Sequence, residues 1–302
     1  MRLTAEPVTL KLRATFRIAH GASDERYNVL AHLEEGVGEG AAVPYHGETQ
    51  AGILADLARA AGALGDDPLL IDDCLAGLPP LTPAARAAVD IALHDVWGRR
   101  LGQPLYRLLG LNPARAPETS FTIALDTPQA MADRARASGW PILKIKVGAG
   151  DDEARLRAIR AATAARLRVD ANAGWTREQA ARLIPRLAEF GLEFVEQPLP
   201  AGDLDGLRWL RAQNLGLPIF ADESVKSARD VAAHAGLVDG VVIKPGAGDA
   251  GDAGVYGGDL RRRDRGRAPG PAVRLRRSGR PAAHRQRSIC RRALRRRAPG
   301  PA

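Results

Sequence analysis

The spacing of hydrophobic and polar positions changes once along this chain, near residue 112. Before that point, residues 3–18 (LTAEPVTLKLRATFRI) and 27–35 (YNVLAHLEE) alternate apolar and polar side chains with the period of two that marks a strand. Gly21 to Asp24 sits between them as a turn or mobile loop, and Gly36 to Gly40 reads as a further turn and strand. Residues 48–62 and 82–100 carry the helical period. In the second, Thr82 is a natural N-cap, Pro83 suits the first helical position, and Val89, Ala92, Leu93, Val96 and Trp97 form one apolar face. Residues 1–112 therefore predict an α+β domain.

From Thr119 onward, short apolar runs alternate with helical stretches. The run Ser120 to Leu125 comes first. Five more follow, each closing on an ionisable residue: Ile142 to Lys146, Leu167 to Asp170, Phe194 to Glu196, Ile219 to Asp222 and Val241 to Lys244. The terminal residues are 24, 26, 26 and 22 positions apart, about one strand–helix unit of a parallel α/β barrel. Helix signals fill the gaps: Thr127-Pro128 with Gly139 as a stop, a capping box from Thr176 to Gln179, and Ser227 with Asp230. Pro185 falls inside the second of these helices, where a kink is expected. Residues 113–246 thus predict a barrel with six strands. After Lys244 the pattern stops. Residues 261–302 hold no Phe, Trp, Tyr or Met and no apolar run long enough for a buried strand, although a closed eight-stranded barrel needs two more. Residues 247–302 read as a Gly/Arg/Pro-rich aberrant tail, expected to be disordered.

Composition alters this reading mainly at the C-terminal end. The net charge of +9 is not spread over the chain. Residues 261–302 contain 16 arginines and one acid, Asp264; without them, 1–260 carry 28 basic and 34 acidic residues, a net −6. A basic tail can bind nucleic acid by counterion release, but this one lacks aromatic residues for base stacking. Its alternation of Arg with Ala, Gly and Pro looks more like a GC-rich gene read out of frame, so nucleic acid is the less favoured partner. No apolar run approaches a membrane span, and the N-terminus lacks the apolar core of a signal peptide. Cys74 and Cys290 are too few for a disulfide scaffold, so a cytoplasmic location is expected.

The strand-end residues carry the chemistry. Asp170, Glu196 and Asp222 on successive strands make a three-oxygen site that suits Mg²⁺ better than Zn²⁺. Any one of them alone reads better as a cap or a salt-bridge partner; three in phase do not. The chain has only five lysines among 44 Lys+Arg, and Lys144, Lys146 and Lys244 all fall in the strand-end pattern. Lysine can act as a base where arginine cannot, once burial, a nearby cation or a second lysine lowers its pKa. Lysines flanking a metal point to proton removal from the carbon next to a carboxylate, with the metal stabilising the resulting enolate. Lys144 and Lys146 share one face of a strand, and Lys244 comes from across the barrel. Such an arrangement can invert a stereocentre.

These motifs carry a family resemblance. KIK at 144–146, VDANAGW at 169–175, VEQP at 195–198, ADES at 221–224 and VVIK at 241–244 resemble the enolase superfamily, muconate-lactonizing subgroup. TSFTIALDTP at 119–128 and VEQPLPAGDLDGL are most similar to dipeptide epimerases of the L-Ala-D/L-Glu type. The resemblance runs from the N-terminus to about residue 245. It implies a modified (β/α)₇β barrel, here truncated after strand six, under an N-terminal α+β capping domain. It further implies Mg²⁺ on Asp170, Glu196 and Asp222, and a Mg-dependent inversion of the Cα of a dipeptide substrate. Lys146 and Lys244 would be the acid/base pair. Lys144 would neutralise the substrate carboxylate, and Asn172 would support the metal site. Capping loops at roughly 17–24 and 44–50 would close over substrate, bringing in His20, with Thr122 on the barrel side. Many of these epimerases carry Ala-Arg-Gly where this chain has Ala19-His20-Gly21, so an acidic substrate side chain is not implied. The resemblance also expects an aspartate on an eighth strand to bind the dipeptide amino group. A chain without strands seven and eight is expected to turn over little or not at all. A cycloisomerase or an o-succinylbenzoate synthase reaction is the alternative within the superfamily, and a homo-oligomer is compatible with the resemblance.

Other signals are weaker. Gly246 to Gly251 matches G-x-G-x-x-G, but neither a helix nor a ribose-binding acid follows. His94 and His234 read as ordinary helix residues. His46 lies in a candidate substrate loop, with its role open.

Overall fold

A computed structural model describes residues 1–44 and 47–243. Three antiparallel strands, β1 (Leu3–Ile18), β2 (Gly21–Leu33) and β3 (Gly36–Ala41), form one sheet in the order β1-β2-β3. Helices α1 (Gln50–Ala61), α2 (Ile71–Ala76), α3 (Pro83–Leu101) and α4 (Leu105–Leu108) follow. Val29, Ala31 and Leu33 of β2 pack into one core with Ile53 and Leu57 of α1 and Val89, Leu93 and Val96 of α3. Strand β3 lies so close to α3 that a Cβ on Gly38 would meet the Ala88 carbonyl oxygen at 1.9 Å, so only glycine fits there.

Several details differ from the sequence expectation. Gly21 to Asp24, expected as a loop, is the first part of β2; the turn is Ala19-His20, and Ile18 pairs with Gly21. Two long strands thus carry the hairpin tip well beyond β3, which pairs only with Asn28 to Leu33, and Leu125 N–H donates to the Arg17 carbonyl at 2.9 Å. Helix α1 begins at Gln50 rather than 48, because Thr49 Oγ accepts from Gly52 N–H. Glu48 is buried instead, accepting the Ala84 N–H at 2.9 Å and the Val43 N–H at 3.1 Å. The short helices α2 and α4 carry too few turns for a periodic signal.

The second sheet is parallel. Its strands are β4 (Phe121–Ile123), β5 (Ile142–Lys146), β6 (Arg166–Asp170), β7 (Leu192–Glu196), β8 (Ile219–Ala221) and β9 (Gly240–Val241), hydrogen-bonded in chain order. Between them run α5 (Pro128–Ser138), α6 (Asp152–Ala162), α7 (Arg177–Ala188), α8 (Leu204–Ala212) and α9 (Ala228–Ala233). Leu143, Ile145, Leu167, Val169, Val195 and Ile219 share a core with Met131, Ile159, Ile184 and Leu207 of these helices. Alternate strand residues therefore face the helices, and the ionisable ones face the other side. The expected caps form: Thr176 and Gln179 exchange hydrogen bonds, and Ser227 N–H donates to Asp230 Oδ2. Helix α7 runs through Pro185 to Ala188.

This is an α/β fold with an N-terminal capping domain and a parallel sheet. Among the described residues no helix is long and apolar enough to cross a membrane. His46, Lys244, the glycine-rich 246–251 segment and the basic tail lie outside the described residues.

Candidate active site and metal centre

Strand register sets the site. Lys146 pairs with Asp170, and Asp170 pairs with Glu196, so three ring residues lie level across β5, β6 and β7. The ring then steps. Glu196 pairs with Phe220, so Asp222 sits two residues further along, just past β8. Such a stagger is what the tilt of strands in a barrel produces. Despite the step, one carboxylate oxygen from each of Asp170, Glu196 and Asp222 lies within 4.8 Å of the others, and all three residues are buried. The register also aligns Thr122 with Lys144, two residues short of the level of Lys146, although the sequence spacing puts it in phase with Lys146.

The two lysines of β5 share one partner and differ in the other. Lys144 Nζ bridges Glu196 Oε1 at 2.6 Å and Asp170 Oδ2 at 2.9 Å. Lys146 Nζ donates to Asp170 Oδ2 at 2.6 Å and to Asn172 Oδ1 at 2.8 Å. Burial works against the charge on Lys144, but Asp170 and Glu196 overcome it and hold its pKa above the usual lysine value. Asp170 is likewise opposed by burial, yet Lys146 and Lys144 keep its carboxyl below the usual range. For Glu196 the balance reverses. Burial and the adjacent Asp170 charge push it up to about 7 against the pull of Lys144.

That crowding tests the fit of a metal. Three buried carboxylates converge where one of them already resists ionisation, and a hard dication is the group that relieves such repulsion. An Mg²⁺ ion needs oxygens about 2.1 Å away, so these side chains need only small movements to surround one.

The turns after the strands complete the geometry. Asn172 and Ala173 have φ of +43° and +60°, and Gln197 has +37°. Each left-handed turn follows a ring residue by one to three positions and folds the chain back over the strand ends. Asn172 N–H donates to Asp170 Oδ1 at 2.9 Å, which aims that carboxylate. Gln197 Oε1 accepts the N–H groups of Asp222 and Ser224 at 2.9 and 3.2 Å, while its Nε2 donates to the Leu199 carbonyl and Ser224 Oγ. Asn172 Nδ2 donates to Glu223 Oε1 at 2.8 Å. Gln197 and Glu223 fall inside the VEQP and ADES motifs, each directly after a ring carboxylate, but the sequence gives neither a role. His20, at the capping hairpin tip, donates from Nε2 to the Asn172 carbonyl at 2.5 Å. The hairpin therefore reaches the site through the main chain of the same residue.

A capping α+β domain reaching a parallel β/α sheet, with lysines and carboxylates at the strand ends, defines a class of barrel enzyme. Comparison with known proteins agrees. Residues 2–110 match the mandelate racemase / muconate lactonizing enzyme N-terminal domain, and residues 128–249 match the enolase C-terminal domain-like family. The chain belongs to the enolase superfamily. It is 39% identical over 254 residues to the L-Ala-D/L-Glu epimerase of Bacteroides thetaiotaomicron, covering 81% of this chain and 66% of that protein. It is 37% identical over 254 residues to the hydrophobic dipeptide epimerase of Enterococcus faecalis, covering 78% of this chain and 71% of the relative. The crystal structure of the dipeptide epimerase from Enterococcus faecalis V583 complexed with Mg and dipeptide L-Leu-L-Tyr superposes with a TM-score of 0.73 at 36% identity, covering 79% of this chain and 72% of that one. The chain thus spans between about two thirds and three quarters of the length of these relatives.

Proposed function

We propose that the chain carries the site of a Mg²⁺-dependent epimerase that inverts the Cα next to the carboxylate of a dipeptide by 1,1-proton transfer. The observation that carries this reading is the unequal pair of lysines beside three converging carboxylates. Asp170, Glu196 and Asp222 would hold the ion. Bound there, Mg²⁺ supplies electrophilic stabilisation for charge developing on the substrate carboxylate as the Cα proton leaves. Lys144, kept cationic by Asp170 and Glu196, offsets the charge of that carboxylate. Lys146 is the acid/base group on one face of the substrate and Lys244 on the other. Thr122 and His20 contact the substrate from the barrel and the capping hairpin. With histidine rather than arginine at position 20, no guanidinium is offered there to an acidic side chain, and the reading stops at dipeptide. The epimerases among the relatives support it.

The test is Cα hydrogen–deuterium exchange by NMR, with L-Leu-L-Tyr in D₂O and MgCl₂. The chain is expected to wash deuterium into the tyrosine Cα and to form L-Leu-D-Tyr only slowly, because strands seven and eight are not read in its sequence. Lys146→Ala and Lys244→Ala should each abolish epimerisation, because inversion needs an acid and a base on opposite faces. Near-wild-type epimerisation in either single variant would refute the two-base assignment.

A further inference from the structure

Asn172 spends its side chain on two neighbours of opposite character. An ammonium can only donate and an ionised carboxylate can only accept, so Lys146 must face the amide oxygen and Glu223 the amide nitrogen. Glu223 thereby decides which end of the amide Lys146 meets. The backbone reinforces this, since Asn172 sits at φ +43°, in a left-handed conformation that asparagine tolerates better than most residues.

We propose that Glu223 is a positioning residue for Lys146, acting through the Asn172 amide. The inference rests on Lys146 being one of two bases. Lys146 Nζ has three tetrahedral directions beyond its carbon. Asp170 Oδ2 and Asn172 Oδ1 take two of them. The third is then fixed, whether it carries the proton of an ammonium or the lone pair of an amine. With only Asp170 as acceptor the group can rotate about its Cε–Nζ bond, and the lone pair loses its aim. If the Asn172 amide turned over, its NH₂ would face Lys146 and drive that rotation. Glu223 prevents the turn. Fold stability does not account for Glu223, because its Oε2 is buried without a hydrogen-bond partner among the described residues, which is a cost to the fold. Sequence offers a faint signal only: Glu223 follows Asp222 directly and so reads as part of the ADES motif.

The experiment measures Cα deuterium exchange from L-Leu-L-Tyr and from L-Leu-D-Tyr separately, with Mg²⁺, in the full chain. Lys146→Ala identifies the epimer that Lys146 serves. Glu223→Leu should slow exchange of that epimer by about 10- to 100-fold, the usual cost of losing an outer hydrogen-bond partner. Exchange of the other epimer should stay within about threefold, since its base is untouched. Glu223→Gln keeps an acceptor oxygen for Asn172 Nδ2 and should recover most of the lost rate. Without metal or substrate, the Asn172 side-chain NH₂ resonances should move in Glu223→Leu and stay near their original position in Glu223→Gln. Equal slowing of both epimers, or NH₂ resonances unmoved in Glu223→Leu, overturns the inference. A wild-type chain that exchanges neither epimer overturns the functional reading on which it rests.

Discussion

Lys144 and Lys146 stand two residues apart on β5 and share Asp170 Oδ2, yet their second acceptors differ, and sequence alone could not separate them by environment. Their shared face follows from strand alternation. That Lys144 bridges two carboxylates while Lys146 shares one with an amide depends on side-chain reach across the sheet. The three carboxylates were legible because their chemistry is unusual at strand ends; Gln197 and Glu223 were not, because an amide or acid one or two residues past a strand has no periodic signature. A second titratable pair lies away from the site. His94 Nδ1–H on α3 donates to the Asp90 carbonyl at 2.9 Å and lies 3.0 Å from its carboxylate. The Asp90 carboxylate beside it raises the His94 pKa and outweighs the lowering by burial. The folded state therefore binds this proton more tightly than the unfolded one. Its contribution to stability is complete below the ordinary histidine pKa of about 6.5 and is lost as pH rises through the higher folded value. The urea midpoint should consequently fall between about pH 6 and pH 8.5 by more in the wild type than in Asp90→Asn. Equal slopes for the two proteins would show that this pair does not contribute.

At the level of elements, the turns after β5 and β6 pack against one another closely enough to demand particular residues. Gly148 has φ +95°, and a Cβ there would lie 2.5 Å from the Ala171 carbonyl oxygen. Asp152 ties the same turn down, accepting the Gly148 N–H at 3.1 Å and the Trp175 indole N–H at 2.9 Å. Gly148→Ala meets both a disfavoured backbone region and a backbone clash, so it should cost about 2 kcal/mol or more of stability. Because the turn directly follows Lys146 and abuts the Asp170–Ala173 turn, Mg²⁺ affinity should fall with it; calorimetric titration of the folded variant checks this. Unchanged affinity would mean that the turns are not coupled to the ring. The strands themselves were readable from their apolar runs, since helices cover one face and the ring residues interrupt the pattern at the other. The hairpin tip was misread because Gly21, Ser23 and Asp24 are turn formers by propensity, and the pairing with β1 overrides that preference. The step of Asp222 beyond its neighbours was invisible, because register across a parallel sheet is set by tilt and not by spacing along the chain.

For the whole molecule, charge divides unevenly, with a net −6 on residues 1–260 and 16 arginines against one acid on 261–302. The ring lies at the carboxyl ends of β5 to β8, inside the acidic part. A dication held by three buried carboxylates binds the folded chain and not the unfolded one, so it stabilises by mass action. At a concentration of 100 times its Kd, Mg²⁺ should add about 2.7 kcal/mol, or roughly 5–10 °C in Tm for a chain of this size. Chelation with EDTA should reverse the shift, and Asp170→Asn should remove most of it. The basic segment holds a single acid, Asp264, so it has no carboxylate set of its own, and 0.15 M salt weakens the pull of its arginines. Deleting 261–302 should accordingly leave the Mg²⁺-induced shift unchanged at that ionic strength, whatever it does to the absolute Tm. Differential scanning calorimetry of the full chain and of residues 1–260, each with Mg²⁺ and with EDTA, decides the matter. A shift that disappears on deletion would make the basic segment part of the metal site's support, and no shift in either protein would remove the carboxylate ring as a metal centre.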